Sequence, residues 1–114
     1  MSVRGGLRVQ QSENDSILSS YYGDEEVTAI ITLKVETKDA DAVCENVSLL
    51  KPAMDVFLVT GDTDIVVKAK FRNYTQLKRF LVEELSAVNG VKDTKTLMVV
   101  ATFKERGELR SAPE

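Results

Sequence analysis

From Val27 onward the chain alternates with a period of two. Val27, Ala29, Ile31, Leu33 and Val35 are apolar and are separated by Thr28, Ile30, Thr32, Lys34 and Glu36, the pattern of a strand with one apolar face. After Thr37, Lys38 and Asp39 the period lengthens. Ala40, Val43, Cys44, Val47 and Leu50 recur at three- and four-residue spacing, which predicts an amphipathic helix with Asp39 as its N-cap and Pro52 as its stop. Two apolar runs follow, residues 54–59 and 65–71, both rich in residues that suit a half-buried pleated surface. The turn between them carries Gly61 beside Asp62, so a tight antiparallel hairpin is the natural reading, with glycine supplying a positive φ. Asn73, with Gln76 three residues on, predicts the start of a second helix, whose buried stripe is Tyr74, Leu77, Phe80, Leu81, Leu85 and Val88. Asn89 and Gly90 end it. The last strand is read from Val91 to Phe103, with Leu97, Val99, Ala101 and Phe103 pointing one way.

The order strand, helix, strand, strand, helix, strand predicts an α+β fold of the ferredoxin-like βαββαβ kind. Two interleaved right-handed crossovers give a four-stranded antiparallel sheet with both helices on one face. Straight alternation places Ile30, Thr32, Val66, Thr94, Thr96, Met98 and Val100 on the other face. That set is too apolar to stay in water as a continuous patch. A second copy packed sheet on sheet would cover it, so Ile30, Val66, Met98 and Val100 are expected at the interface of a homodimer resembling a dimeric α/β barrel. Residues 27–104 form the domain. Residues 1–26, with Gly5-Gly6, several serines and the acidic run Asp24-Glu25-Glu26, read as a flexible N-terminal arm, within which 16–22 has the composition of a short extra strand. Residues 105–114 read as a charged C-terminal tail.

Composition narrows the chemistry. The chain has no histidine, which removes imidazole bases, Cys-His and Ser-His pairs and the commonest ligand of zinc, haem and copper. Its one cysteine, Cys44, forms no intramolecular disulfide and is expected to pack on a helix face. No metal-ligand spacing, phosphate loop or nucleophile elbow occurs, so no catalytic residue, metal or cofactor is expected. A formal charge of −3 argues against autonomous nucleic-acid binding, which normally needs a basic face. No run has the length of a membrane span and the N-terminus lacks the apolar core of a secretory signal, so a cytoplasmic location is expected.

Two polar clusters are candidates for a ligand, and each has a plain structural reading beside it. Asp62 and Asp64 sit two apart in the turn with Thr63 between them; Asp is also a favoured turn residue, and a strand-end cap is the alternative for Asp64. Thr94 and Thr96 present two hydroxyls along one strand, where β-branching alone also favours threonine. Lys68, Lys70 and Arg72 form a basic row best read as a solvated strand edge.

The stretch from Val27 to Lys104 resembles the effector-binding (RAM) domain of the Lrp/AsnC family of transcription regulators. The likeness is carried by the opening strand Ala29 to Val35, by the hairpin with Gly61 and Asp64 in a T-G-x-x-D pattern, and by the run Gly90, Val91, Thr94, Thr96 in a G-V-x-x-T-x-T pattern. The resemblance implies the same fold, dimers that assemble further, and amino-acid effectors bound between dimers near these segments. It puts Gly61, Asp62, Thr63, Asp64, Thr94 and Thr96 near the ligand. The family's DNA-binding helix-turn-helix needs a capped pair of amphipathic helices, and residues 1–26 contain no such pair. The expectation is a regulatory module that binds an amino acid or similar effector, oligomerises, and acts through a full-length Lrp/AsnC regulator or another protein without contacting DNA. Asp64 would accept the ligand's ammonium, and turn N–H groups and threonine hydroxyls would donate to its carboxylate. Two other readings stay open at this point: an ACT-like regulatory subunit, and a small dimeric ferredoxin-like enzyme such as a cofactor-independent monooxygenase.

Overall fold

The computed structural model describes residues 26–110. Apart from Glu26, the arm at 1–26 with its proposed strand at 16–22 lies outside the described residues, as do residues 111–114. Strand β1 (Val27–Val35) leads through a single 3-10 turn (Thr37–Asp39) into helix α1 (Ala40–Ser48). Strands β2 (Ala53–Leu58) and β3 (Ile65–Phe71) form the hairpin. Helix α2 (Tyr74–Arg79) continues as a π turn (Phe80–Glu84) and a 3-10 turn (Leu85–Ala87), and strand β4 (Val91–Met98) follows. The sheet order is β2-β3-β1-β4, with every neighbouring pair antiparallel. This is the ferredoxin-like α+β arrangement expected from the order of elements.

The core lies between the sheet and the helices. Val27, Ala29, Ile31, Leu33 and Val35 of β1 and Ile65, Val67, Ala69 and Phe71 of β3 are buried, as are Val43 and Val47 of α1 and Leu77, Phe80 and Leu85 around α2. Each large member contributes about 1.5–3 kcal/mol by leaving water. The Phe71 and Phe80 rings meet at 5.3 Å with a tilt of 57°, a favourable edge-biased geometry. Asn73 caps α2 as expected, its side-chain oxygen accepting from the Gln76 N–H at 2.9 Å. Asp39 does not cap α1 with its side chain, because the 3-10 turn already delivers the chain into the helix. Gly90 is required twice over. Its φ is +99°, and a Cβ there would lie 2.8 Å from Cγ2 of Val43, so the loop before β4 can press against α1 only without a side chain.

The phase of β4 differs from straight alternation. Val35 pairs with Val91 and Lys34 with Asp93, which leaves Lys92 as a bulge residue with no partner in register. Val91 faces the helices, and one extra residue after it flips everything that follows. Thr94, Thr96 and Met98 therefore pair with Leu33, Ile31 and Ala29 and share the helix-covered face, where Met98 packs against the core. Asp93, Lys95 and Leu97 take the open face instead, opposite Lys34, Thr32 and Ile30. Met98 is thus not on the face expected to pair with a second copy. Val100 lies beyond the end of β4, 65% exposed. The open face does carry Ile30 and Val66, joined by Leu97 and by Phe57, whose register partner is Val66.

The strand does not run on to Phe103, and 105–110 is not a free tail. A second, two-stranded sheet, β5 (Lys104–Glu105) and β6 (Glu108–Leu109), closes through Arg106 (φ 52°) and Gly107 (φ 80°). Two successive positive φ values mark a type I′ hairpin turn. Glu105 fixes this hairpin to the sheet. Its carboxylate bonds to Lys68, lies 3.5 Å from Lys70 and accepts from Arg110 at 2.9 Å. The Lys68 hydrogen bond first, with Arg110 and Lys70 adding to it, holds the Glu105 carboxyl down to a pKa of about 2. The basic row at Lys68 and Lys70 is accordingly a docking point for Glu105 rather than a bare solvated edge.

Candidate functional site

At the end of the open face where β1 finishes, the β2–β3 turn and the start of β4 converge on a cleft of about 250 Å³. The turn is pinned there by its own side chains. The Asp64 N–H donates to the Leu33 carbonyl at 3.0 Å and the Thr63 hydroxyl donates to the same oxygen at 2.9 Å. Oδ2 of Asp64 accepts from the Val35 N–H at 2.9 Å. Val35 lies beyond Leu33–Ile65, the last pair of the β1–β3 ladder, so the carboxylate stands in for the backbone acceptor that β3 no longer supplies. Lys34 completes the attachment by donating to the Asp62 carbonyl at 2.6 Å. Gly61, at φ +132° with open space about it, lets the turn reverse.

The cleft is lined by Thr32 and Lys34 from β1, Asp62 and Thr63 from the turn, and Asp93, Thr94 and Lys95 from β4. Lys34 and Asp93 are register partners, as are Thr32 and Lys95, so the β1 and β4 side chains stand side by side on one face. Among the described residues the carboxylates of Asp62 and Asp93 and the ammonium of Lys95 have no ion pair. Just outside, Lys92 on the bulge pairs with Glu36 at 2.9 Å, and that hydrogen bond raises the Lys92 pKa. Both signs of charge thus face one small space, an arrangement suited to a molecule that itself carries both.

The structure brings Asp62, Thr63 and Thr94 to this cleft, while Gly61 and Asp64 shape the turn without lining it. Thr96 does not reach it: it pairs with Ile31 on the helix side, where the bulge has turned it away from the open face. Thr94 lines the cleft although its pairing with Leu33 starts its side chain on the same helix-facing side. Sequence reasoning missed Thr32, Lys34, Asp93 and Lys95. Straight alternation set Thr32 in the open-face patch and left Asp93 and Lys95 on the face of Leu97, and only the bulge at Lys92 puts Asp93 and Lys95 beside Lys34 and Thr32.

Comparison with known proteins shows the family and the fold. The chain is 36% identical over 81 residues to the HTH-type transcriptional regulator FL11 of Pyrococcus abyssi, which covers 71% of this chain and 53% of that protein. The chain spans about half the length of the curated relatives it matches. E. coli AsnC superposes with a TM-score of 0.67 at 20% identity, over 89% of this chain and 64% of that one. The transcriptional regulator NMB0573 of Neisseria meningitidis, solved as a complex with L-Met, superposes with a TM-score of 0.65 at 21% identity, over 92% of this chain and 65% of its own. At these identities the two structures share the fold. The family's sequence model, described as the Lrp/AsnC ligand binding domain, matches residues 28–109, and the chain belongs to that family.

Proposed function

We propose that this domain binds an amino acid in the cleft between the β2–β3 turn and the start of β4, and that binding regulates the assembly of a transcription regulator. The observation that carries the reading is the presence of two carboxylates, Asp62 and Asp93, and two ammonium groups, Lys34 and Lys95, around one cleft of about 250 Å³. An amino acid needs an acceptor for its ammonium and donors for its carboxylate. Hydrogen bonds to charged groups contribute about 1.5–3 kcal/mol each. The complex of NMB0573 with L-Met supports the ligand class in a protein of the same fold.

Assembly enters through the open face. Ile30, Val66, Phe57 and Leu97 lie there, with Phe57 56% and Leu97 45% exposed, and the cleft opens at its edge. A second copy packed on this face would border the ligand, so that effector and assembly bias one another. The formal charge of −3 favours action through a protein, such as a full-length regulator of the same family, over direct attraction to DNA phosphates. A thermal-shift screen of the 114-residue chain against the twenty amino acids tests the reading. A ligand at one hundred times its dissociation constant adds about 2.7 kcal/mol to apparent stability. At least one amino acid is expected to raise the melting temperature, and no response to any of them at millimolar concentration contradicts the proposal.

A further inference from the structure

We infer that the free edge of β2 docks the β2 edge of a second copy of this chain, the two strands pairing antiparallel so that the sheets of two copies run on into one another. This surface lies apart from the cleft and does not depend on a ligand there. The sheet order β2-β3-β1-β4 leaves two edges, and they are built differently. On β4, Lys92 bulges and Asp93 and Lys95 add charge, the usual means by which an edge is kept from pairing. On β2, from Ala53 to Leu58, Asp55 is the one charged residue, and Met54, Phe57 and Leu58 are each about half exposed.

The direction of the backbone groups follows from the hairpin. The Val59 N–H donates to the Asp64 carbonyl at 2.9 Å. Phe57 and Asp55 follow at the two-residue period, in register with Val66 and Lys68, so these residues bond inward to β3. Val56 and Leu58 turn their N–H and C=O groups outward, and among the described residues no strand lies beyond them. The exposed side chains fall on both sides of the sheet. Phe57 lies on the open face, whereas Leu58 pairs with the buried Ile65 and so lies on the helix side. A copy packed on the open face covers Phe57 and leaves Leu58 and the outward backbone groups in water. An added strand covers all of them, because its own side chains alternate between the two faces.

The edge is complementary to itself, which makes β2 of a second copy the strand that fits. With a two-fold axis through Phe57, the two Phe57 side chains meet as a cross-strand pair at the closer, non-hydrogen-bonded spacing. Val56 and Leu58 then exchange backbone hydrogen bonds with the partner's Leu58 and Val56. The Asp55 carboxylates are held about 14 Å apart along the strands, beyond the screening length of about 8 Å at physiological salt. The contact is isologous and closed, since it uses up both β2 edges.

Sedimentation of the full chain, of Leu58→Lys, of Val66→Glu and of the double variant tests this, with circular dichroism checking the fold of each. Leu58 is half exposed, so lysine is accommodated there without entering the core. Leu58→Lys is expected to lower the sedimenting mass about twofold, both alone and in the Val66→Glu background. A mass lowered by Val66→Glu and untouched by Leu58→Lys overturns the inference and leaves assembly through the open face standing. A mass lowered by Leu58→Lys and untouched by Val66→Glu upholds the inference and removes the open-face contact, whereas an unmodified chain that stays monomeric overturns both. Amide hydrogen exchange on the unmodified chain gives a reading that needs no variant. The Val56 and Leu58 N–H groups are expected to exchange at least about tenfold more slowly in concentrated than in dilute solution. Protection that does not change with concentration assigns the edge to another segment of the same chain, and fast exchange at every concentration leaves it free; either result overturns the inference.

Discussion

Replacing Asp64 with alanine removes one acceptor at a defined place, and its cost can be worked from the geometry. Oδ2 of Asp64 takes the Val35 N–H at 2.9 Å, and Val35 is only 8% exposed. Water therefore replaces the lost acceptor poorly. The other attachments of the turn survive the change, since the Asp64 N–H and the Thr63 hydroxyl both still donate to the Leu33 carbonyl. The loss is that of one covered backbone donor left unsatisfied, about 1–3 kcal/mol. In a domain of this size each kcal/mol moves the melting temperature by about 4–8 °C. Asp64→Asn keeps a carbonyl oxygen within reach and is expected to lose less than half as much. Urea unfolding at one fixed protein concentration is the assay, because the proposed self-association would make apparent stability depend on concentration. A midpoint for Asp64→Ala matching the unmodified chain, or an Asn variant as weak as the Ala variant, would refute the capping role. The sequence left two readings open for Asp64, a ligand acceptor and a strand-end cap, and the bond to the Val35 N–H is the second of these.

Gly90→Ala is expected to cost about 2 kcal/mol or more, because a positive-φ penalty of about 1–3 kcal/mol is joined by a Cβ 2.8 Å from Val43; Gly61→Ala, with open space around it, pays the backbone penalty alone. Equal unfolding midpoints for the two variants would show that the close approach to α1 does not matter. The hairpin β5–β6 should detach in acid. The folded pKa of Glu105, about 2, lies below its ordinary 4.5, so its contribution is complete above pH 4.5 and is lost as pH falls towards 2. Amide NMR of Gly107 across that range tests this, and a Glu105 titration midpoint at or above 4.5 would contradict it. Val66→Glu puts a charge in the apolar centre of the open face and is expected to weaken self-association at least about tenfold by sedimentation; an unchanged oligomer would place the contact elsewhere.

The order of elements was legible because β1, β3 and both helices carry one clean period each. Val27 to Val35 alternate without interruption, and Leu77, Phe80 and Leu85 hold the helical stripe through a π turn that the sequence does not announce. The phase of β4 was not legible. Leu97, Met98, Val99 and Val100 are all apolar, so the pattern cannot choose a face, and the choice falls to Lys92, whose bulge follows from the fit of β4 to the end of β1. The cleft suffered from the same cause, since Asp93 and Lys95 join it only after that shift. The role of Glu105 depends on Lys68, a residue 37 positions away, and no local pattern signals such a pair.

On the proposed reading, an amino acid occupies the space between the turn and the start of β4. Backbone NMR during titration with whichever amino acid stabilises the chain tests it most directly. The largest shift changes are expected on Thr32, Lys34, Asp62, Thr63 and residues 93–95. Perturbations centred on Thr96 and the helix-covered face, or on the edge strand β2, with these residues unmoved, would contradict it.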